Sequence, residues 1–207
     1  EKKELQSLIE NNVYKKVKVK DLPRDVEIIS GRWVFKVKIN GEGKIESYKG
    51  RVVARGNELS RVHGRTYSPV ACAATIRFLL AIAVTFRLKL RSADVKTAFL
   101  YAKIPKGREV YCKPPPGCGC EEDEVWRLQS SLYGLPSASY LWHGTFTEEL
   151  KKLGYNQSKQ DPCLFYKIRR GIYIILTIVV DDILIASNDD EKSKELISML
   201  NEKFKVI

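Results

Sequence analysis

The feature that most constrains this chain is a pair of apolar segments that meet at two adjacent aspartates. Residues 172–180 read IYIILTIVV, residues 183–186 read ILIA, and only Asp181 and Asp182 lie between them. Neither run reaches the roughly 20 continuous apolar residues of a membrane span, so the pattern predicts two buried strands that meet at the carboxylates. Tight turns favour Asn-Gly or Asp-Gly, and adjacent carboxylates repel each other. The segment by itself fits either an ordinary exposed turn or a site that binds a divalent cation.

A third aspartate lies at the end of another predicted strand. Residues 88–95 read as a strand, and Asp94 sits where this strand gives way to a turn. A strand-end aspartate is more often a helix cap or a surface residue. Asp94 is therefore a candidate metal ligand only if it lies close to Asp181. Carboxylates from neighbouring strands can hold two Mg²⁺ ions that activate a hydroxyl and stabilise a leaving pyrophosphate. Asp94 and Asp181 are therefore candidates for such a pair.

The remaining pattern alternates irregularly between strands and helices, which indicates the α+β class. Asn40-Gly41 is a strong hairpin signal between two basic strands, 31–39 and 44–54. Thr75 is placed to cap a helix. The other expected elements are helices over about 75–86 and 137–153, a final helix capped within 187–190, and a Pro- and Gly-rich loop over 113–124.

The charge balance makes nucleic acid a candidate partner. The chain has 36 Lys and Arg against 25 Asp and Glu, a net charge of +11, and its first third is the more basic part. A basic surface is a solubility device in most proteins and binds anions in a minority, so charge alone does not choose between them. The hydrophobic share of 44% and the charged share of 29% exclude a disordered chain and a membrane bundle.

The five cysteines indicate reduced thiols in an intracellular compartment. Their number is odd, and the opening EKKELQSLIENN lacks the apolar core of a secretory leader. A zinc site is disfavoured, because Cys118-Gly-Cys120 is one residue too tight for the usual zinc knuckle. Only His63 and His143 are available to complete such a ligand set.

A series of short motifs covers nearly the whole chain. In order they are YKGRVVARG (48–56), SPV (68–70), TIR (75–77), DVKTAFL (94–100), VY (110–111) with PPG (115–117), SLYGL (131–135), DPCLF (161–165) and VDDILI (180–185). Each motif is weak alone, but the series in this order resembles the reverse transcriptase domain of copia-type LTR retrotransposons. Chance similarity does not account for so many motifs with similar spacing.

The resemblance implies a right-hand polymerase fold with an antiparallel palm sheet backed by helices. It implies one reverse transcriptase domain over residues 1–207, with fingers over about 1–69 and 102–138 and palm over about 70–101 and 139–207. The thumb, the RNase H domain, the protease and the integrase of such a polyprotein are expected to lie outside this chain.

The resemblance also implies the site residues. Asp94, Asp181 and Asp182 are the implied catalytic and metal-binding residues, for two Mg²⁺ ions that Mn²⁺ could replace. The implied nucleotide-binding residues are Lys49, Arg51, Arg55, Phe99, Tyr133 and Gly134. Without the family, Phe99 reads as a core aromatic, Tyr133-Gly134 as a turn, and the three cations as a solvated strand face.

Which cation contacts the triphosphate stays open, because Lys49, Arg51 and Arg55 would share one face of a strand; Arg51 is the first choice. Trp142 and His143 read as core and surface residues, and neither receives a catalytic role.

The implied function is RNA-directed DNA polymerisation, in which a nucleotidyl group passes from a dNTP to a primer 3′-hydroxyl. The implied partners are an RNA or DNA template with its primer, dNTP and the rest of the Pol polyprotein, with no membrane. The expected location is intracellular: the cytoplasm, in a virus-like particle if the element is active, with the nucleus as the alternative.

The alternative function is an inactive or domesticated retrotransposon remnant that at most binds nucleic acid. Departures from the family favour it: Val179 stands where the family usually has Tyr, and residues 136–139 read PSAS where the family commonly reads KQAP. The stretch 57–66 is also shorter than in the family. A metal-dependent phosphatase or nuclease is a weaker alternative, because it does not account for Phe99 or for the motif at 131–135.

Overall fold

The computed structural model describes residues 1–60 and 64–207. The helices are α1 (Lys2–Glu10), α2 (Ala73–Thr85), α3 (Ala138–Lys152) and α4 (Asp190–Asn201). The strands are β1 (Tyr14–Lys18), β2 (Ile28–Ile39), β3 (Ile45–Ala54), β4 (Lys89–Asp94), β5 (Tyr111–Lys113), β6 (Glu124–Leu128), β7 (Asn156–Gln157), β8 (Leu164–Arg169), β9 (Ile172–Val179) and β10 (Asp182–Ser187). Short 3₁₀ turns occupy Val19–Asp21, Gly56–Glu58 and Ala98–Tyr101. This content confirms the α+β class.

The chain divides into two compact units. The first unit combines Glu1–Thr66 with Phe99–Leu141, and the second combines Tyr67–Ala98 with Trp142–Ile207. Each unit contains one five-stranded sheet. The candidate zinc ligand His63 and part of the short stretch 57–66 lie outside the described residues.

The sheet of the first unit has the strand order β1-β6-β5-β2-β3. Its neighbours pair antiparallel except β2 and β5, which are parallel. Trp126, Leu128 and Leu132 are among the buried residues of its core, which also takes Leu8 from α1 and Val52 from β3. Apolar side chains from segments far apart in the sequence therefore close this core.

The β2–β3 ribbon has one basic and one apolar face. Because directly opposed residues of an antiparallel pair share a face, Lys36 opposite Lys49 and Val34 opposite Arg51 place these cations on the same side. Phe35 and Val37 point to the other side and remain exposed. The alternation predicted from the sequence is thus confirmed.

The connection between β2 and β3 differs from a two-residue Asn-Gly turn. The loop runs from Asn40 to Lys44, and the Asn40 side-chain oxygen accepts hydrogen bonds from the amides of Glu42 and Lys44. The positive φ, +80°, belongs to Gly43 instead of Gly41. The hairpin prediction is confirmed, but the Asn40 side chain closes a longer loop.

The sheet of the second unit has the order β4-β10-β9-β8-β7, with every neighbouring pair antiparallel. Helices α2 and α4 pack against it. Leu79 and Ala83 of α2 meet Ala186 of β10 in a buried cluster. The antiparallel sheet backed by helices is therefore confirmed. No helix in the described part of the chain combines the length and the apolar character needed to cross a bilayer.

The prediction that Thr75 caps α2 is wrong. The helix begins at Ala73, its N-cap is Cys72, and Thr75 lies inside the first turn. The Asp161 carboxylate accepts hydrogen bonds from the Cys72 amide at 3.0 Å and from the Thr75 side chain. Burial raises the pKa of Asp161, but the hydrogen bonds from Thr75, Cys163 and Cys72, together with nearby His143, outweigh burial, so the pKa lies below its usual value. A carboxylate distant in sequence thus replaces the local cap.

The other predicted helix ends are confirmed. Helix α3 is followed by Gly154 with φ of +82°. Helix α4 has Asp189 as its N-cap, whose side chain accepts a hydrogen bond from the Lys192 amide. Both ends follow local capping chemistry that is readable from the sequence.

Candidate active site

The predicted hairpin between β9 and β10 has a two-residue turn. Val179 pairs with Asp182, so Val180 and Asp181 are the central residues and Asp182 is the first residue of β10. The prediction that both aspartates lie at the turn is correct only for Asp181. Of the two central residues only Val180 has a positive φ, +60°, the sign pattern of a type II′ turn. That position favours glycine, and a β-branched residue there is strained.

Asp94 lies directly opposite Asp182 on the neighbouring strand. β10 pairs antiparallel with β4, in the register Asp182 to Asp94 and Ile183 to Ala93. Residues in this relation point to the same face, with Cβ atoms about 5 Å apart. Two carboxylates in this position repel each other, and a bound cation would relieve the repulsion.

Backbone hydrogen bonds hold the end of β4 from two sides. The Val95 amide donates to the Asp181 carbonyl at 2.9 Å. The Asp94 amide donates to the Ile207 carbonyl at 2.8 Å, and the Ile207 amide donates to the Asp94 carbonyl at 3.0 Å. The Asp94 backbone is therefore fixed between β10 and the last residues of the chain.

The donor set suits a divalent cation that the substrate helps to bind. Within residues 1–60 and 64–207, neither Asp94 nor Asp182 has a side-chain hydrogen bond or an ion pair. The same residues contain no group of three or more His, Cys, Asp or Glu side chains placed to hold a metal ion. Mg²⁺ is commonly bound by one or two carboxylates together with waters and substrate phosphates. The opposed pair of Asp94 and Asp182 can provide the carboxylates.

The turn residue Val180 also contacts a buried tryptophan. Trp142 is 2% exposed, and its Nε1 donates to the Val180 carbonyl at 2.6 Å. Its ring packs against Phe146 and Phe204, as expected of a core residue. The sequence does not predict this link to the turn, because the donor and the acceptor lie 38 positions apart with no motif that connects them.

In the first unit, three of the expected nucleotide-binding residues come together. The Arg51 guanidinium carbon lies 5.1 Å from the centroid of the Tyr133 ring. The Phe99 ring is 5.3 Å from the Tyr133 ring in an edge-to-face arrangement. We call Arg51, Phe99 and Tyr133 the Tyr133 cluster. Tyr133 and Phe99 are half-buried and Arg51 is exposed, so the cluster offers aromatic surface beside a cation.

Gly134 follows the Tyr133 cluster and allows two backbones to approach closely. Its φ is +87°, and a Cβ built there would overlap the Ala54 carbonyl oxygen. The Ala54 amide donates to the Tyr133 carbonyl at 2.8 Å. A Cβ at Gly56 would in turn overlap the Gly134 carbonyl oxygen. The end of β3 and the Tyr133-Gly134 segment therefore fit together only with glycine at these positions.

Lys49 and Arg55 lie outside the Tyr133 cluster. Lys49 shares the basic face of the ribbon with Arg51. Arg55 follows the last residue of β3, and its Nη1 lies 3.5 Å from a carboxylate oxygen of Glu58. The expectation that all three cations share one strand face is therefore wrong for Arg55, because the strand ends before it.

His143 is a half-buried residue beside Pro162. Its Nε2 lies 3.2 Å from the Pro162 carbonyl oxygen. Burial lowers the pKa of His143 below its usual value, although this contact acts in the opposite direction. Nothing in this geometry gives His143 a catalytic role.

Residues 11–207 match the family described as "Reverse transcriptase (RNA-dependent DNA polymerase)". The chain belongs to the reverse transcriptase family. Among its relatives is the "Retrovirus-related Pol polyprotein from transposon TNT 1-94" of Nicotiana tabacum, 34% identical over 206 residues that cover 97% of this chain and 15% of that protein. The "Retrovirus-related Pol polyprotein from transposon RE2" of Arabidopsis thaliana is 35% identical over 188 residues, 89% of this chain and 13% of that protein.

These relatives confirm the copia-type resemblance of the motif series. This reverse transcriptase chain spans only about a seventh of the polyproteins that it matches. A solved structure titled "Structure of the foamy viral protease-reverse transcriptase dRH in complex with ds DNA" aligns with 98% of this chain and 30% of that chain. The identity is 12% and the TM-score is 0.47, so the assignment depends on the sequence matches.

Proposed function

We propose that this chain is the RNA-directed DNA polymerase domain of a copia-type Pol polyprotein. It transfers a nucleotidyl group from a dNTP to the 3′-hydroxyl of a primer on an RNA or DNA template. The observation that carries the proposal is the register that sets Asp94 opposite Asp182, with Asp181 in the adjoining turn.

In the second unit, Asp94, Asp181 and Asp182 would hold two Mg²⁺ ions, for which Mn²⁺ can substitute. Such cations, when bound, promote attack by the primer hydroxyl and stabilise the charge of the leaving pyrophosphate. The chain contributes the placement of the carboxylates. Strand pairing sets Asp94 and Asp182 side by side, and the Val95 amide holds the Asp181 backbone.

In the first unit, the Tyr133 cluster would bind the nucleotide. Arg51 would neutralise triphosphate charge, because its exposed guanidinium can donate several hydrogen bonds to phosphate oxygens. The Arg51 guanidinium lies over the Tyr133 ring, which also contacts Phe99. By resemblance, Phe99 lies beneath the sugar and rejects a 2′-hydroxyl by its bulk, and Gly134 packs beside the template base.

The two remaining cations, Lys49 and Arg55, would contact the nucleic acid backbone. Lys49 lies on that face, and Arg55 follows at the end of β3. Phosphate contacts from lysine and arginine are independent of sequence and weaken as salt increases. We assign the first unit to the fingers and the second unit to the palm of the polymerase, within an intracellular Pol polyprotein.

Primer extension on poly(rA)/oligo(dT) tests the proposal. We expect the chain to incorporate dTTP with Mg²⁺ or Mn²⁺, and we expect Asp181→Asn to reduce incorporation by about a thousandfold, since it removes a metal ligand. The matched control is Asp123→Asn, which changes an exposed aspartate paired with Lys18 and should leave incorporation unchanged.

Duplex binding measured at several salt concentrations separates the alternatives. The phosphate contacts come from lysine and arginine, so Asp181→Asn should not weaken binding. If the folded wild-type chain binds the duplex but incorporates no nucleotide, the enzymatic proposal fails and the remnant that only binds nucleic acid is the correct function.

A further inference from the structure

We propose that Trp142 is a positioning residue that holds the Val180-Asp181 turn in the conformation in which Asp181 acts. The effect of Trp142 on catalysis rests on the proposed function, whereas the effect of Trp142 on the conformation of the turn does not. Neither the residue pattern nor the reverse transcriptase motifs give Trp142 a catalytic role. The inference comes from the contact between its indole and the strained turn.

The turn contains a residue that does not favour its own conformation. Val180 has φ of +60°, in the left-handed region that β-branched residues avoid. A backbone in this region persists only where the surrounding structure fixes it. Val180 is 40% exposed, so packing of its own side chain does not supply that constraint. The constraint has to come from the backbone contacts of the turn.

The Trp142 indole provides such a contact. Its Nε1 donates to the Val180 carbonyl at 2.6 Å, and that carbonyl belongs to the peptide group whose nitrogen is the Asp181 amide. The bond therefore fixes the plane of the peptide that enters Asp181. The Val95 amide donates to the carbonyl of Asp181 itself at 2.9 Å. Asp181 is thus held at the peptide before it and at the peptide after it.

The donor is itself rigid. The Trp142 ring is 5.4 Å from the Phe146 ring and 5.2 Å from the Phe204 ring, measured between centroids. Both phenylalanines are about 1% exposed. A ring that is packed on two sides loses little further conformational entropy when it makes a hydrogen bond. The bond therefore links the turn to the aromatic core at a small entropic cost.

The other tryptophans provide matched controls. Trp126 is fully buried and donates from Nε1 to the Cys120 sulfur at 3.1 Å. Trp33 donates to the Pro116 carbonyl at 3.0 Å. Both lie in the first unit, whereas the three aspartates and the Val180-Asp181 turn lie in the second. A tryptophan-to-phenylalanine change in either one therefore repeats the chemistry of Trp142→Phe in the other unit.

The first test compares Trp142→Phe with Trp126→Phe in the full chain. We expect Trp142→Phe to lower kcat for primer extension by about tenfold, the factor that corresponds to the net worth of one hydrogen bond. The KM for dTTP should change by less than about twofold, because the proposed dNTP contacts lie in the Tyr133 cluster. Trp126→Phe should change neither constant.

A second readout does not need activity. Mn²⁺ alone, titrated into the folded chain, should broaden the amide resonances of Val95 and Ile183, which flank the aspartates. We expect Trp142→Phe to weaken this Mn²⁺ affinity severalfold and Trp126→Phe to leave it unchanged. If the wild-type chain incorporates no nucleotide but this difference appears, the proposed function fails and the role of Trp142 in the turn is upheld.

A double-mutant cycle tests the link to strain. Glycine adopts positive φ without a steric cost, so Val180→Gly removes the conformation that the hydrogen bond has to maintain. The effect of Trp142→Phe on Mn²⁺ affinity should therefore be smaller in the Val180→Gly background than in the wild type. Equal effects in the two backgrounds would overturn the proposal.

Two further outcomes decide against Trp142 as a positioning residue. If Trp142→Phe leaves both kcat and Mn²⁺ affinity unchanged, Trp142 is only a core residue. The same conclusion follows if Trp126→Phe lowers kcat and Mn²⁺ affinity as much as Trp142→Phe does. If Trp142→Phe does not fold, benzothienylalanine at position 142 replaces the N–H by sulfur and keeps the ring size. The same measurements on that chain then give the answer.

Discussion

Asp94 and Asp182 are placed by strand pairing, whereas Arg51 and Tyr133 are placed by contacts between side chains and by the close approach of two backbones. In the second unit, one register brings two like charges together. In the first unit, β3 meets a segment that lies almost 80 residues further along the chain, and glycine is required where they meet. Both sites join segments that are far apart in the sequence, since Asp94 and Asp182 are 88 positions apart. The comparison indicates that the acidic site depends on backbone pairing within one sheet, while the Tyr133 cluster depends on side-chain contacts and on the close approach of two backbones.

The largest expected effect is a loss of stability in the first unit, where the Tyr133 cluster lies. Gly134→Ala should lower the free energy of unfolding by about 3 kcal/mol, because the new Cβ overlaps the Ala54 carbonyl oxygen and the residue has positive φ. Gly117→Ala is the matched control, since Gly117 has φ of +85° and open space around its Cβ position. It should cost about 1 kcal/mol.

Urea unfolding of both glycine variants measures these changes. Mn²⁺ broadening of the Ile183 amide should persist in Gly134→Ala at urea concentrations where the second unit is folded. Equal destabilisation by the two variants would mean that the close approach to Ala54 has no energetic weight.

An intermediate effect sharpens the role of the Tyr133 cluster. Arg51→Ala should raise the KM for dTTP about tenfold with a smaller change in kcat, because it removes a charge-assisted contact to the triphosphate. Lys38→Ala removes a cation from the same face of the ribbon, opposite Ser47 and away from Tyr133. Steady-state extension kinetics should show an increase below about twofold for Lys38→Ala. A similar increase in the KM for dTTP in both variants would show that Arg51 contributes only to the general positive charge of the ribbon and makes no specific contact with the triphosphate.

The smallest expected effect concerns the acidic pair. Asp182→Asn should raise the free energy of unfolding by about 0.5 kcal/mol, because it relieves the repulsion with Asp94 across the strand pair. Asp94→Asn should give a similar gain, and the two gains should not add, because either change removes the same repulsion. Urea unfolding with and without Mg²⁺ measures this.

Mg²⁺ should stabilise the wild type more than either asparagine variant, since the cation binds the folded pair. A gain that is fully additive in the double variant, or an equal response of all chains to Mg²⁺, would show that the two carboxylates do not interact.

The sequence alone determined those features that depend on short-range patterns. Alternating residues predicted the two-faced ribbon, the apolar runs around Asp181 predicted the hairpin, and Asp189 and Gly154 marked helix ends. The ordered motifs identified the family. These inferences succeed because strand alternation and capping act between residues a few positions apart.

Only the tertiary structure decided how distant segments meet. In the structure Asp182 belongs to β10 and not to the turn, and the Asp161 carboxylate, not Thr75, caps the start of α2. Arg55 lies beyond the end of β3 and therefore does not share its basic face. The tertiary structure also brings the Trp142 indole to the Val180 carbonyl. A sequence pattern records which side chains face the core, but it does not record which buried donor meets which distant carbonyl, because that depends on how the segments pack.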